Sequence, residues 1–300
     1  MRVTFLIFGT RGDVQPAIAL GVGLKKAGFE VWLGALEEFR TLVEGSDLGF
    51  IPLSGNLPQM IRQVSEGKLF TGTNLFGLVK LFQNLLSSMF TEFWQVSQGS
   101  DLLISNAATT MIVEPVAEKL NIPHIETSVF PGLPTHAFPS FFGPWPPGLG
   151  ANTRGLAQQI TGAINWFSYK PVNWAVRLGL GPMIERSRRD ILGLPARKTQ
   201  RTDRPVRPIL CGFSQHVLPR PVEWGTHIHV TGYWYLDTPG FVPPPDLQAF
   251  LEGGLPPVYI GFGSMPSQNP EQVTKMMIQA LEMAGQRGIL RQCDIGLQKA

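Results

Sequence analysis

Five consecutive residues, Gly9-Thr10-Arg11-Gly12-Asp13, put a carboxylate at a glycine-flanked turn. A carboxylate there can take a proton from a hydroxyl as its oxygen becomes a nucleophile, so Asp13 is a candidate general base. Asp13 is also placed to cap a helix beginning at about Val14, by accepting a backbone N–H of the first turn. The two roles are compatible if one oxygen caps and the other faces a cleft. A helix N-terminus would hold such a carboxylate ionised. The turn is no dinucleotide fingerprint, because G-x-G-x-x-G is absent. It is no phosphate-cradling loop either, because the terminal Gly-Lys-Ser/Thr is missing. Gly21 and Gly23 form a G-x-G inside the helix, with Lys26 in the third position.

A second turn, Gly261-Phe262-Gly263-Ser264-Met265, precedes a helix starting at Pro270. Its glycines would let backbone N–H groups approach an anion at that helix N-terminus. A tight strand–helix turn with no ligand explains it as well. Ser264 is not a hydrolase elbow, since Met265-Pro266 stands where x-Gly is required. The aspartates contain no D-x-D pair and the histidines no H-E-x-x-H, so no metal site is expected. His227 and His229 share a strand face, but with no third ligand near them in sequence they read as structural. His136, in an aromatic loop, could touch a substrate.

These turns need elements to position them. Val3–Phe8 is a continuous apolar run, as a strand buried on both faces requires. A helix follows from about Val14 to Ala27, ended at Gly28. Strands at Val31–Leu36, Phe50–Leu53, Asp101–Ser105 and Pro123–Ser128 alternate with helices near Glu37–Val43, Asn74–Val96 and Thr110–Leu120. Such alternation means a parallel sheet with crossover helices. Val129–Gly150 interrupts it with six prolines, four glycines and the aromatics Phe130, Phe138, Phe141, Phe142 and Trp145. Aromatics at that density usually line a pocket or pack under a lid. Two helices are expected next, Thr153–Leu178 and Pro182–Leu192. Strands follow at Pro208–Gly212 and His227–Val230. Beyond a linker and the short helix Asp246–Leu251, Val258–Phe262 reads as a new buried strand. It opens a second parallel unit with a helix at Pro270–Gln286 and a strand at Ile289–Leu290. Residues 293–300 do not continue that strand, and the chain reads as cut off or frame-shifted.

At 300 residues the length suits about two domains. Hydrophobic residues at 43% and charged residues at 16% supply a core and exclude wholesale disorder. Two cysteines, Cys211 and Cys293, exclude a disulfide scaffold and fit a reducing compartment. The first strand is too short for a secretory signal. The apolar stretch Leu75–Trp94 contains Lys80, Gln83, Asn84 and Glu92, which argues against a spanning helix. A soluble, cytoplasmic chain is expected. Between Arg186 and Arg207 eight basic residues face two aspartates, a net of +6 that leaves −3 elsewhere. The window could meet phosphates or an anionic membrane surface, so peripheral membrane contact stays open; a solvated linker face is the preferred reading.

Four ordered stretches resemble one family. Phe8-Gly9-Thr10-Arg11-Gly12-Asp13-Val14-Gln15-Pro16 resembles the N-terminal signature of the GT-B glycosyltransferases that include sterol 3-beta-glucosyltransferases and antibiotic-pathway glycosyltransferases. Leu192-Gly193-Leu194-Pro195 is similar to the end of the N-domain helical region. Pro219-Arg220-Pro221-Val222-Glu223-Trp224 and Val230-Thr231-Gly232-Tyr233-Trp234 resemble the block before the interdomain linker. Pro257-Val258-Tyr259-Ile260-Gly261-Phe262-Gly263-Ser264-Met265 resembles the opening of the donor domain.

The resemblance implies an α/β GT-B fold: a complete N-terminal Rossmann-like domain plus the first β-α unit of a second. Residues 1–238 would bind the acceptor, 239–255 would form the linker and short helix, and 256–300 would begin the nucleotide-sugar domain. It implies inverting transfer of a hexose from a UDP- or TDP-sugar to a hydroxyl of an apolar acceptor. That acceptor would be a sterol, a lipid or a polyketide-like product. The nucleotide sugar is the co-substrate, with no cofactor, no catalytic metal and no nucleic acid. Asp13 would be the base, with Thr10, Arg11, Asp13 and Ser264 at the donor. Phe130, His136, Phe141, Phe142 and Trp145 would wall the acceptor. The family's His/Gly-rich donor loop has no counterpart in these 300 residues, so weak donor binding is expected. The alternative is a non-catalytic acceptor-binding fragment.

Overall fold

A computed structural model describes residues 1–55, 88–140, 155–195, 206–237, 240–263 and 269–291. Among them, residues up to 236 form one compact unit and those from 237 onward a second. The first unit is a seven-stranded, all-parallel sheet. In chain order its strands are β1 (Arg2–Leu6), β2 (Glu30–Leu36), β3 (Gly49–Leu53), β4 (Leu102–Asn106), β5 (His124–Ser128), β6 (Ile209–Cys211) and β7 (Ile228–Val230). They lie side by side as β3-β2-β1-β4-β5-β6-β7. The register sets Val3 against Val31 on one side and Leu102 on the other. Val3, Phe5, Leu6, Leu33, Leu103 and Ile104 are buried, as two-sided coverage of a parallel sheet demands.

Helix α1 (Arg11–Lys26) starts three residues earlier than the apolar pattern predicts, because Thr10 rather than Asp13 is its N-cap. It lies close on the sheet at Gly21, where an added Cβ would come within 2.9 Å of Leu48 and 3.3 Å of Val31. The helix ends in a Schellman motif: Phe29 N–H donates to Leu24 O and Gly28 N–H to Lys25 O. Gly28 takes the left-handed position with φ of 89°. A short helix, α2 (Arg40–Glu44), leads to β3. The helical stretch at 88–96 buries Met89, Phe90 and Phe93, and its Glu92 carboxylate accepts from Ser54 N–H and Oγ at the end of β3. The rest of the helix expected from Asn74 lies outside the described residues. Helix α3 (Thr110–Leu120) packs on β4 and β5.

The two helices expected around Pro182 are one. Helix α4 runs without a break over Leu156–Asp190, with Pro171 and Pro182 inside. Each proline removes one backbone bond and crowds the preceding turn. Packing holds the helix together across them, since Tyr169, Leu180, Ile184 and Arg188 are all buried. Arg188 donates to both oxygens of Glu118, at 2.6 and 3.3 Å, and to Pro195 O. Arg207 donates through Nε to Glu126 at 2.8 Å and pairs with Glu114. These two arginines of the basic window are therefore structural ion-pair partners rather than a solvated face.

The second unit contains α5 (Pro245–Glu252), β8 (Val258–Ile260), α6 (Pro270–Met283) and β9 (Gly288–Leu290). β8 and β9 pair in parallel, and Arg287 donates to the carbonyls of Leu255 and Phe250. The expected buried strand is exposed: Tyr259 retains 61% of its surface, because a two-stranded sheet cannot cover itself.

His124 sits in the covered sheet, its Nε2 2.8 Å from Ser105 Oγ. Burial pushes its imidazole down to about 4; Arg207 adds to the shift and Glu114 opposes it. The unfolded chain would bind a proton near 6.5 that the folded chain refuses. Stability should therefore be full above about 6.5 and fall as pH drops toward 4, by about 3 kcal/mol at most. Urea midpoints across that range check this, and His124→Gln should flatten the decline.

Candidate functional site

The strand order reverses next to β1. The chain steps outward from β1 to β2 and β3, then returns to β4 on the other side of β1. In open parallel sheets this switch point leaves a crevice beyond the carboxyl ends of the two flanking strands. Gly9–Asp13 leaves β1 there, and Asn106–Thr110 leaves β4.

Two buried side chains tie these turns together. Asn106 Nδ2 donates to Phe8 O at 2.8 Å, and Thr109 Oγ1 donates to Leu6 O at 2.6 Å. Thr109 also lies 3.0 Å from Asn106 Oδ1. The end of β1 is thereby fixed on its β4 side. Neither residue stands out in the sequence. Their signal is a polar N-x-x-T directly after a buried apolar strand, which gains meaning only once β4 is placed beside β1.

The turn itself is a capping box. Thr10 Oγ1 accepts from Gly12 N–H at 3.3 Å, and Asp13 Oδ2 accepts from Thr10 N–H at 2.9 Å. Asp13 is thus the third residue of the helix and reaches back, instead of being the cap. Among the described residues its hydrogen bonds all run through Oδ2, with Thr10 Oγ1 the second partner at 3.5 Å. Oδ1 is left to meet other groups. Burial raises the Asp13 pKa above the ordinary value of 3.8, against the Thr10 hydrogen bonds that lower it. A raised pKa makes the ionised group a stronger base. Gly9 makes room. A Cβ there would fall 2.2 Å from Asp13 Oδ2, and Gly9 holds φ of 154°.

Of the other candidates, Thr10 is half-buried and Arg11 exposed, its Nε donating to Gln15. Phe130 is half-buried. His136 is exposed and stacks on Trp166 at 5.0 Å between ring centres, with the rings almost parallel. Its backbone N–H donates to Glu223 Oε1 at 2.7 Å, and its carbonyl accepts from Asn165 Nδ2. Thr135 Oγ1 also donates to Glu223. Burial pulls that carboxyl up, but these hydrogen bonds outweigh it and hold the pKa below the usual range. Trp224 Nε1 donates to Pro134 O, and Phe138 meets the Trp224 ring edge-on at 6.4 Å. Residues 129–140 are thus a pinned loop, and Phe138 belongs to the small core with Ile209, Cys211 and Phe213. Phe141, Phe142, Trp145 and Ser264 lie outside the described residues. Among the described residues no group of three His, Cys, Asp or Glu could hold a metal ion, and no helix is long and apolar enough to cross a membrane.

Residues 3–139, which carry both turns of the crevice, match the glycosyltransferase family 28 N-terminal domain. A sterol 3-beta-glucosyltransferase of Cryptococcus neoformans var. neoformans serotype D (strain JEC21) is 31% identical over 301 residues, covering 97% of this chain and 18% of that protein. One of Neurospora crassa is 32% identical over 296 residues, covering 97% and 18%. The chain thus spans less than a fifth of the length of these relatives. The calicheamicin glycosyltransferase CalG4 superposes with a TM-score of 0.57 at 12% identity, over 96% of this chain and 64% of that one. Arabidopsis thaliana UGT89C1, solved with quercetin, gives 0.54 at 15% identity, over 99% and 68%. At these identities the likeness establishes the fold, which is α/β of the GT-B type, as the sequence motifs imply.

Gly9→Ala tests the packing of the Gly9–Asp13 turn. It should cost about 1–3 kcal/mol, from strain at Gly9 and the clash with the carboxylate. Adding Asp13→Ala removes the clash, so the double variant should lose less than the sum of the two single losses. Urea denaturation of the four proteins measures the difference; strict additivity would mean that the two positions do not meet.

Proposed function

We propose that this chain is the acceptor-side part of an inverting glycosyltransferase, with Asp13 as its general base. The observation that carries the reading is the carboxylate at the switch point, with Oδ2 held by Thr10 and Oδ1 uncommitted among the described residues. The acceptor hydroxyl gives its proton to Oδ1 as its oxygen attacks the anomeric carbon. The new C–O bond forms opposite the bond to the diphosphate, which leaves with its electron pair, so the centre inverts. Ionised Asp13 is needed for this, and desolvation strengthens it as a base. Arg11 and Thr10 stand beside it at the helix N-terminus, where positive charge and N–H groups favour a diphosphate.

The donor is a UDP- or TDP-hexose and the acceptor a sterol or similarly apolar alcohol. The names of the relatives and the apolar composition of the 129–150 loop support that choice. In this reading residues 1–238 bind the acceptor, 239–255 connect, and 256–300 begin the donor domain, with Ser264 on the diphosphate. Phe130 and His136, joined by Phe141, Phe142 and Trp145, form the acceptor wall.

Glucosyl transfer to a 3β-hydroxysterol, measured at millimolar UDP-glucose so that weak donor affinity does not limit the rate, tests the assignment. Asp13→Asn retains an oxygen for the Thr10 N–H but is no base. Its rate should fall about 10²–10⁴-fold with the melting temperature nearly unchanged. Equal turnover in wild type and Asp13→Asn would sink the role. Sterol binding with no transfer in the wild type would favour the acceptor-binding fragment instead.

A further inference from the structure

Helix α4 is inverted relative to an ordinary surface helix. Its first half turns Thr161, Asn165, Ser168 and Tyr169 inward, where they bond to the helix backbone and to the 136–140 segment. Its apolar residues face out. Ile160, Phe167, Trp174 and Leu178 keep 54%, 59%, 63% and 55% of their surface, with Ile164 and Pro171 also exposed between them. Positions 160, 164, 167, 171, 174 and 178 follow one helix face, a strip about 27 Å long at about 1.5 Å per residue.

The charges on this stretch have one sign. From Leu156 to Ile184 the charged side chains are Lys170 and Arg177, both exposed. Lys170 Nζ lies over the Phe167 ring at 4.9 Å. Trp166 and Trp174 add two indoles, rings that favour the boundary between hydrocarbon and water.

We propose that this face of α4 lies on an anionic lipid surface. The apolar strip enters the headgroup boundary, and Lys170 and Arg177 meet lipid phosphates and carboxylates beside it. A helix with a buried polar face lies in the plane of such a surface rather than crossing it. The proposal stands on the surface of α4 alone and does not depend on glycosyl transfer.

Sedimentation with vesicles tests it, using phosphatidylcholine alone and phosphatidylcholine with phosphatidylserine. The chain should pellet with the anionic vesicles. Phe167→Ser combined with Trp174→Ser should weaken partition by about tenfold or more. Lys170→Gln combined with Arg177→Gln should weaken it about fivefold per charge, on anionic vesicles only. All four side chains are exposed, so the melting temperature should hold; if the serine variant misfolds, the glutamine variant still decides. A chain that stays in the supernatant, or variants that pellet like wild type, would overturn the proposal. So would a dimer, seen by light scattering, that the serine variant dissolves.

Discussion

The carbonyls at and just past the end of β1 must be satisfied where the sheet opens. Beyond Leu6 the pairing of β1 with β4 has ended, and a bare buried carbonyl costs about 1–3 kcal/mol. Thr109 and Asn106 supply the missing donors to Leu6 O and Phe8 O. Everything at the crevice hangs from that arrangement. With β1 held to its end, Gly9 can turn, Thr10 can cap α1, and Asp13 can reach back. The same crossover that opens the crevice thus also provides the residues that stiffen it.

Much of the first unit was legible in the sequence because parallel strands, covered on both faces, read as unbroken apolar runs. Val3–Phe8 is of this kind. The misread places share a cause: tertiary structure overrode a local preference. Pro182 carries a local penalty of about 3 kcal/mol in a helix, yet α4 continues because Leu180, Ile184 and Arg188 are packed on both sides of it. Spacing points to Asp13 as the N-cap, but Thr10 suits that position as well and takes it, with Asp13 reaching back. Asn106 and Thr109 were invisible because the carbonyls they serve lie about a hundred residues earlier in the chain. In the second unit, Val258-Tyr259-Ile260 has the composition of a buried strand but, among the described residues, has only β9 beside it.

The loop at 129–140 shows how polar groups can do the work of a core. Its proline-rich backbone forms few regular bonds of its own. Glu223, Trp224, Asn165, Ser168 and Tyr169 bind its main chain instead. This is why the inner face of α4 is polar. Its amides and hydroxyls are spent on the loop, and the greasy residues are left for the outside.

Gly9 and Asp13 also constrain how this turn can diverge. Any side chain at position 9 would stand where the carboxylate oxygen now sits. The constraint runs one way: position 13 can change while Gly9 stays, but a side chain at position 9 requires the acid at position 13 to move or go. A side chain at the first position in a new sequence would therefore mark a crevice that holds its acid in another arrangement.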